Sequence, residues 1–64
     1  MSEEDYKMHI GQYCRAGVQH RYIPEEIYYH QGYLEFVKDN CLYLNDNRDT
    51  RRVQIKDIIT FETV

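Results

Sequence analysis

Apolar and polar residues alternate most regularly near the end of the chain. In the segment 50–55, Val53 and Ile55 are separated by polar Gln54 and preceded by Arg52. Successive side chains of a strand point to opposite faces, so Val53 and Ile55 are predicted to face a core. Shorter apolar runs bounded by turn residues precede and follow this segment. The predicted strands cover residues 18–23, 27–29, 33–37, 41–44, 50–55 and 58–61.

The segment 30–32 is predicted to be a turn between two strands, because Gly32 permits a positive φ angle. In the strand that follows it, Leu34 and Phe36 are predicted to share one face, with Tyr33, Glu35 and Val37 on the other. Residues 38–40, Lys-Asp-Asn, predict the next turn.

The segment 6–14 fits two different elements. Its apolar residues recur at helical spacing, and Ser2 with Asp5 resembles a capping box, which predicts a short helix. The same apolar residues also alternate as in a strand, and Gly11 is unfavourable inside a helix. We favour the strand, with residues 15–17 as its hairpin turn.

These elements predict a mostly β fold. Five or six short antiparallel strands in 64 residues indicate a small SH3-like or Sm-like barrel, with an N-terminal segment that is a strand or a short helix. Barrel closure would remove exposed sheet edges. A chain of this length buries only about 60 % of its unfolded surface, so residues 1–64 are expected to form one domain.

Nothing in the sequence indicates secretion or membrane insertion. The first five residues are acidic and polar, and no apolar run approaches the roughly 20 residues of a membrane span. We therefore expect a cytoplasmic protein with both cysteines reduced.

No arrangement of residues predicts catalysis. Cys14 and Cys41 stand in no nucleophile motif, and we expect both to be small buried apolar side chains. The three histidines, His9, His20 and His30, are too widely spaced for a typical structural zinc site. We expect a protein that is not an enzyme and that needs no metal or cofactor.

A basic cluster and an excess of tyrosine are the main binding signals. The net charge is −3, yet four cations crowd a short C-terminal stretch, and the chain holds seven tyrosines and no tryptophan. Tyr28 and Tyr29 must face opposite ways on a strand, so at least two tyrosines are predicted to be exposed. Arginines beside tyrosines can grip phosphates and stack on bases. The candidate binding residues are Arg48, Arg51, Arg52, Lys56, Tyr29 and Tyr33.

The spacing of several residues from Arg21 onward follows the pattern of a known family; these residues are Arg21, Pro24, Ile27, Tyr29, Gly32, Tyr33-Leu34 and the tail from Arg51 to Ile58. The pattern resembles the WYL domain, a small Sm-like β module of bacterial transcription regulators and some defence-associated proteins. The tryptophan that names that motif is absent here. The C-terminal pattern is also similar to Rof-like inhibitors of the transcription terminator Rho.

The WYL resemblance implies a ligand pocket that accepts nucleotides or nucleic acid, with Tyr29, Tyr33 and Arg51 among its lining residues. We therefore predict a bacterial or phage regulatory module that binds nucleic acid, a nucleotide or an acidic protein surface of the transcription machinery. The alternative is a small inhibitor or adaptor that blocks a larger protein through its tyrosine-rich face. Either function is compatible with a homodimer formed through a β edge.

Overall fold

The computed structural model describes residues 2–64. Within this range, one short helix precedes five strands, and one 3₁₀ turn, named η1, separates the last two strands. The elements are α1 (Glu3–Lys7), β1 (Tyr13–Gln19), β2 (Ile27–Lys38), β3 (Cys41–Asn45), β4 (Thr50–Gln54), η1 (Ile55–Asp57) and β5 (Ile58–Thr63).

The five strands form one antiparallel sheet in the order β4-β3-β2-β1-β5. The predicted mostly β fold is confirmed, but the sheet is not closed into a barrel. Over residues 2–64, β4 and β5 each have only one partner strand. Each of these two strands therefore leaves one row of backbone groups unpaired at a sheet edge.

The core lies on one face of this sheet, which we call the inner face. Its largest fully buried side chains are Leu34, Leu42, Leu44 and Cys14. Strands β1 to β4 contribute buried residues to the core cluster, and the partly buried Ile58 and Phe61 of β5 pack against it. Helix α1 adds Tyr6, whose ring meets the ring of Phe61 edge to face at 4.9 Å.

The strand predicted over 50–55 is confirmed up to Gln54. Val53 is buried, and Arg52 and Gln54 are exposed, as the alternation predicts. Ile55 is half-buried against the core, but it begins η1 rather than ending the strand.

The predicted turn at 30–32 is wrong, because β2 runs without interruption for 12 residues. Gly32 serves close packing of the backbone instead. A Cβ atom at this position would lie 2.8 Å from the backbone carbonyl of Asn45 on β3. A larger residue would force β2 and β3 apart at this point.

The faces predicted for Phe36 and Val37 are also wrong. Leu34 pairs with Leu44, but Phe36 pairs with Tyr43, so β2 holds one extra residue at Glu35. This β-bulge reverses the alternation that follows it. Val37 is consequently buried, and Phe36 points to the opposite side of the sheet, the outer face.

The preferred strand over residues 6–14 is wrong, because a short helix is present instead. This helix ends at Lys7, however, and the last two residues of the segment, Tyr13 and Cys14, begin β1. The Asp5 carboxylate accepts a hydrogen bond of 2.8 Å from the Ser2 amide, as in a capping box. This bond lowers the pKa of Asp5. Residues 15–17 lie inside β1 rather than in a turn, and β1 ends at Gln19, well before residue 23.

The turn predicted at 38–40 is confirmed. Asp39 and Asn40 both have positive φ angles, 53° and 59°, as a two-residue hairpin requires. The Glu3 carboxylate of α1 accepts a hydrogen bond of 2.6 Å from the Asn40 amide. Helix α1 is thereby attached to this end of the sheet.

Candidate nucleic-acid interface

The predicted binding residues do not form one cluster, because the two arginines of β4, Arg51 and Arg52, point to opposite faces of the sheet. Arg52 pairs with Tyr43 and points to the outer face. Arg51 pairs with Leu44 and points toward the inner side, at the exposed rim of the sheet. Adjacent strand residues always diverge in this way. Arg48 lies apart from both, in the exposed loop between β3 and β4.

Arg51 lies close enough to His30 for its positive charge to affect the pKa of the imidazole. His30 occupies the inner side of β2, opposite Ala16 of β1, and is half-buried. Burial lowers the pKa of His30, and the positive charge of Arg51 lowers it further. The neutral imidazole is therefore favoured in the folded protein.

Arg52 continues a row of aromatic rings across the outer face. The rings of Phe36 and Tyr43 stack with their centroids 4.3 Å apart and their planes 21° from parallel. Phe36 pairs with Tyr43 across β2 and β3, and Tyr43 pairs with Arg52 across β3 and β4. We call Phe36, Tyr43 and Arg52 the aromatic row. It presents an exposed ring at one end and an exposed guanidinium group at the other.

Tyr29 and Tyr33 lie further along the same outer face, and the ring of each is already in contact with a neighbouring side chain. The Arg15 guanidinium carbon lies 5.0 Å from the centre of the Tyr29 ring, and Arg15 is ion-paired with Glu62. Tyr33 meets the ring of Tyr13 edge to face at 5.1 Å. Both tyrosines remain about half exposed.

The cations of the C-terminal half lack acidic partners. Within the described residues, ion pairs are made by Lys7, with Glu3 and Glu4, and by Arg15, with Glu62. Arg52 and Lys56 are exposed and make no such pair. An unpaired cation keeps its full charge for an anionic ligand.

Two adjoining grooves are lined in part by these cations, and they extend from the Arg52 end of the aromatic row. The first, the turn groove, has a volume of about 560 Å³, and the second, the loop groove, about 380 Å³. Gln54 and Lys56 line both. The turn groove is also lined by Asp39, Asn40, Cys41, Arg52 and Ile55, and the loop groove by Gln19, His20, Arg21, Pro24 and Asp57.

The cysteines pack as small buried side chains, as expected from the sequence. Cys14 and Cys41 are both free and buried. Burial raises the pKa of the Cys14 thiol, which makes its reactive thiolate form scarcer. In residues 2–64, no three or more His, Cys, Asp or Glu side chains converge as a metal site would need. None of the helices in this range is long and apolar enough to cross a membrane.

Sequence reasoning overlooked two residues of this surface, Phe36 and Arg21. The alternation predicts that Phe36 shares the face of Leu34, although the apolar pair Leu34 and Val37 breaks a two-residue period, which is a signal of the bulge. Arg21 entered only through the family resemblance. Its approach to Lys56 across the loop groove depends on tertiary folding and has no local signal.

Comparison of the chain with protein-family models, with curated proteins and with solved structures finds no match.

Proposed function

We propose that this protein is a non-enzymatic regulatory module that binds single-stranded nucleic acid across the outer face of its sheet. The observation that carries the proposal is the aromatic row. A base would stack on the exposed Phe36 ring, which is held against Tyr43, and a neighbouring phosphate would contact Arg52. Each stacked base contributes about 1–3 kcal/mol, and stacking tolerates any base.

The turn groove also supports the binding of nucleic acid, because it extends the positively charged surface beyond the aromatic row. It begins at Arg52 and ends at Lys56, and neither cation is ion-paired within the described chain. A strand leaving the aromatic row would thus meet further positive charge. The overall charge of −3 opposes unspecific adsorption of nucleic acid, so binding should depend on this local path.

The cellular setting of this proposal comes from the sequence. The resemblance to WYL domains and to Rof-like inhibitors of Rho favours a cytoplasmic role in bacterial or phage transcription. A five-stranded β fold agrees with such a module. The free edges of β4 and β5 would allow a homodimer, which sedimentation velocity across a range of concentrations would detect.

The neighbouring arginines provide a matched test. Arg51→Ala and Arg52→Ala remove the same charge from adjacent positions, but only Arg52 belongs to the outer face. Fluorescence anisotropy with labelled rU12 and dT12 at low salt should show binding about tenfold weaker for R52A. Binding by R51A should change less than about twofold, and R52A should also reduce the salt dependence by about one phosphate contact.

Equal weakening by both substitutions would mean that only overall charge matters and would contradict the assigned face. Absence of binding by the unmodified protein would contradict the proposed function itself. Circular dichroism melting of both variants controls for folding.

A second candidate function, inhibition of a larger protein, is favoured by the tyrosines outside the aromatic row. Tyr22 is 82 % exposed and Tyr28 54 % exposed, and the His20 ring lies between them. Such exposed aromatic residues are typical of protein interfaces. A protein retained by immobilised wild type but lost with Tyr22→Ser/Tyr28→Ser, in the absence of oligonucleotide binding, would favour this function.

A further inference from the structure

The loop groove joins two segments that are distant in the sequence. One wall comes from the end of β1 and the loop that follows it, and the other from the end of β4 and η1. Among the residues that the structure describes, Pro24 is its one apolar lining residue. A groove of about 380 Å³ with polar walls suits a small polar ligand better than an apolar one.

Each wall of this groove contributes one positively charged side chain. Arg21 comes from the loop and Lys56 from η1, and both side chains are exposed. Neither makes an ion pair within the described chain. Asp57 is the acid among the lining residues, so the lining charge is positive when His20 is neutral.

His20 adds a hydrogen-bond donor to the groove, and hydrogen bonds from the loop determine which nitrogen of its ring carries the hydrogen. Its Nδ1 atom accepts hydrogen bonds from the backbone amides of Tyr22, at 3.0 Å, and Ile23, at 2.9 Å. An acceptor nitrogen carries no hydrogen, so the neutral ring must carry its hydrogen on Nε2. The ring is also held against Tyr28, with centroids 4.6 Å apart.

We propose that the loop groove binds a phosphate group through Arg21, Lys56 and the Nε2–H of His20. A guanidinium group, an ammonium group and a neutral donor match the several acceptor oxygens of phosphate. The phosphate belongs either to a small molecule or to a strand on the outer face. Only the second case rests on the proposed function, since Lys56 also lines the turn groove that leads from Arg52.

The first experiment uses inorganic pyrophosphate and needs no nucleic acid. Titration of the ¹⁵N-labelled protein at low salt should give saturable amide shifts at residues 19–21 and 54–57. Arg21→Ala should weaken this binding about fivefold. Arg48→Ala removes the same charge from a loop outside both grooves and should change it little.

A substitution that strengthens binding excludes unfolding as the explanation. Asp57→Asn removes the acid of the groove and should tighten pyrophosphate binding about threefold. Asp49→Asn makes the same chemical change outside the grooves and should have no comparable effect. Shifts that do not saturate, or equal effects of D57N and D49N, would overturn the proposal.

The source of the phosphate is distinguished with rU12 carrying or lacking a 5′-phosphate. If the terminal phosphate tightens binding and Arg21→Ala removes that gain, the groove takes a phosphate monoester. If both oligonucleotides bind alike and R21A lowers the salt slope by about 0.7, the groove takes a backbone phosphate. If pyrophosphate binds and neither oligonucleotide does, the groove stands while the proposed function fails.

Discussion

The inner and outer faces of the sheet use aromatic residues in opposite ways. The inner face is filled mainly by aliphatic side chains and Cys14, and Tyr6 and Phe61 meet there beneath α1. The outer face displays Tyr29, Tyr33 and Phe36, which are 54 %, 51 % and 44 % exposed. The larger share of aromatic surface thus lies away from the core.

This difference indicates which face is free to bind. A 64-residue domain has little apolar area to spare for its core, so exposed rings forgo stabilisation that burial would give. The apolar area of an exposed ring contributes favourable free energy only when a ligand covers it, and it then contributes to binding. Substitutions on the inner face should therefore affect mainly stability, and those on the outer face mainly binding.

The largest expected effect is a loss of stability on the inner face. Leu42 is fully buried on β3, opposite Val37 on β2 and Val53 on β4. Leu42→Ala should lower the free energy of unfolding by about 2–5 kcal/mol, because it leaves a cavity. Urea denaturation followed by circular dichroism measures this. A loss below about 1 kcal/mol would place the core elsewhere.

The next effect is a loss of binding on the outer face. Phe36→Ala removes the exposed ring of the aromatic row and should weaken oligonucleotide binding about tenfold. The free energy of unfolding should fall by about 1 kcal/mol, the contribution of the lost Tyr43 stack. Phe36→Tyr retains the ring and should bind normally. Equal binding by the Ala and Tyr variants would exclude Phe36 from the interface.

The smallest effect concerns pH. The folded protein lowers the pKa of His30, so the unfolded chain takes up the proton first as the pH falls through the ordinary value of 6.5. The contribution of His30 to stability is thus present above pH 6.5 and decreases below it. Urea denaturation at pH 7.5 and pH 5.5 should show a smaller difference for His30→Gln than for the wild type.

Arg51→Ala provides the control for this pH effect. Removal of the positive charge should raise the pKa of His30 toward its ordinary value in an NMR titration. An unchanged His30 pKa in R51A would show that burial alone shifts it.

The second half of the fold was predictable because its signals are local. Val53 lies in an alternating strand, and Asp39 and Asn40 form the tight turn typical of such residues. Of the candidate site, Arg52 and Lys56 were identified from composition and do line one groove.

The remaining errors arise where pairing between strands overrides local signals. Gly32 is a frequent turn residue, yet here it allows β2 and β3 to approach closely. The spacing of Leu34 and Val37 hints at the bulge, but its position at Glu35 is fixed only by the pairing of Leu34 with Leu44 and of Val37 with Leu42. Likewise, residues 15–17 form a strand because β2 and β5 pair with them on both sides.

The most direct test of the outer face is an NMR titration of the ¹³C,¹⁵N-labelled protein with rU12. The account predicts saturable shifts in the ring signals of Phe36 and Tyr43 and in the side-chain signals of Arg52, with little change at Leu42. Shifts confined to α1 and β5, or no saturable shift at the aromatic row, would contradict it.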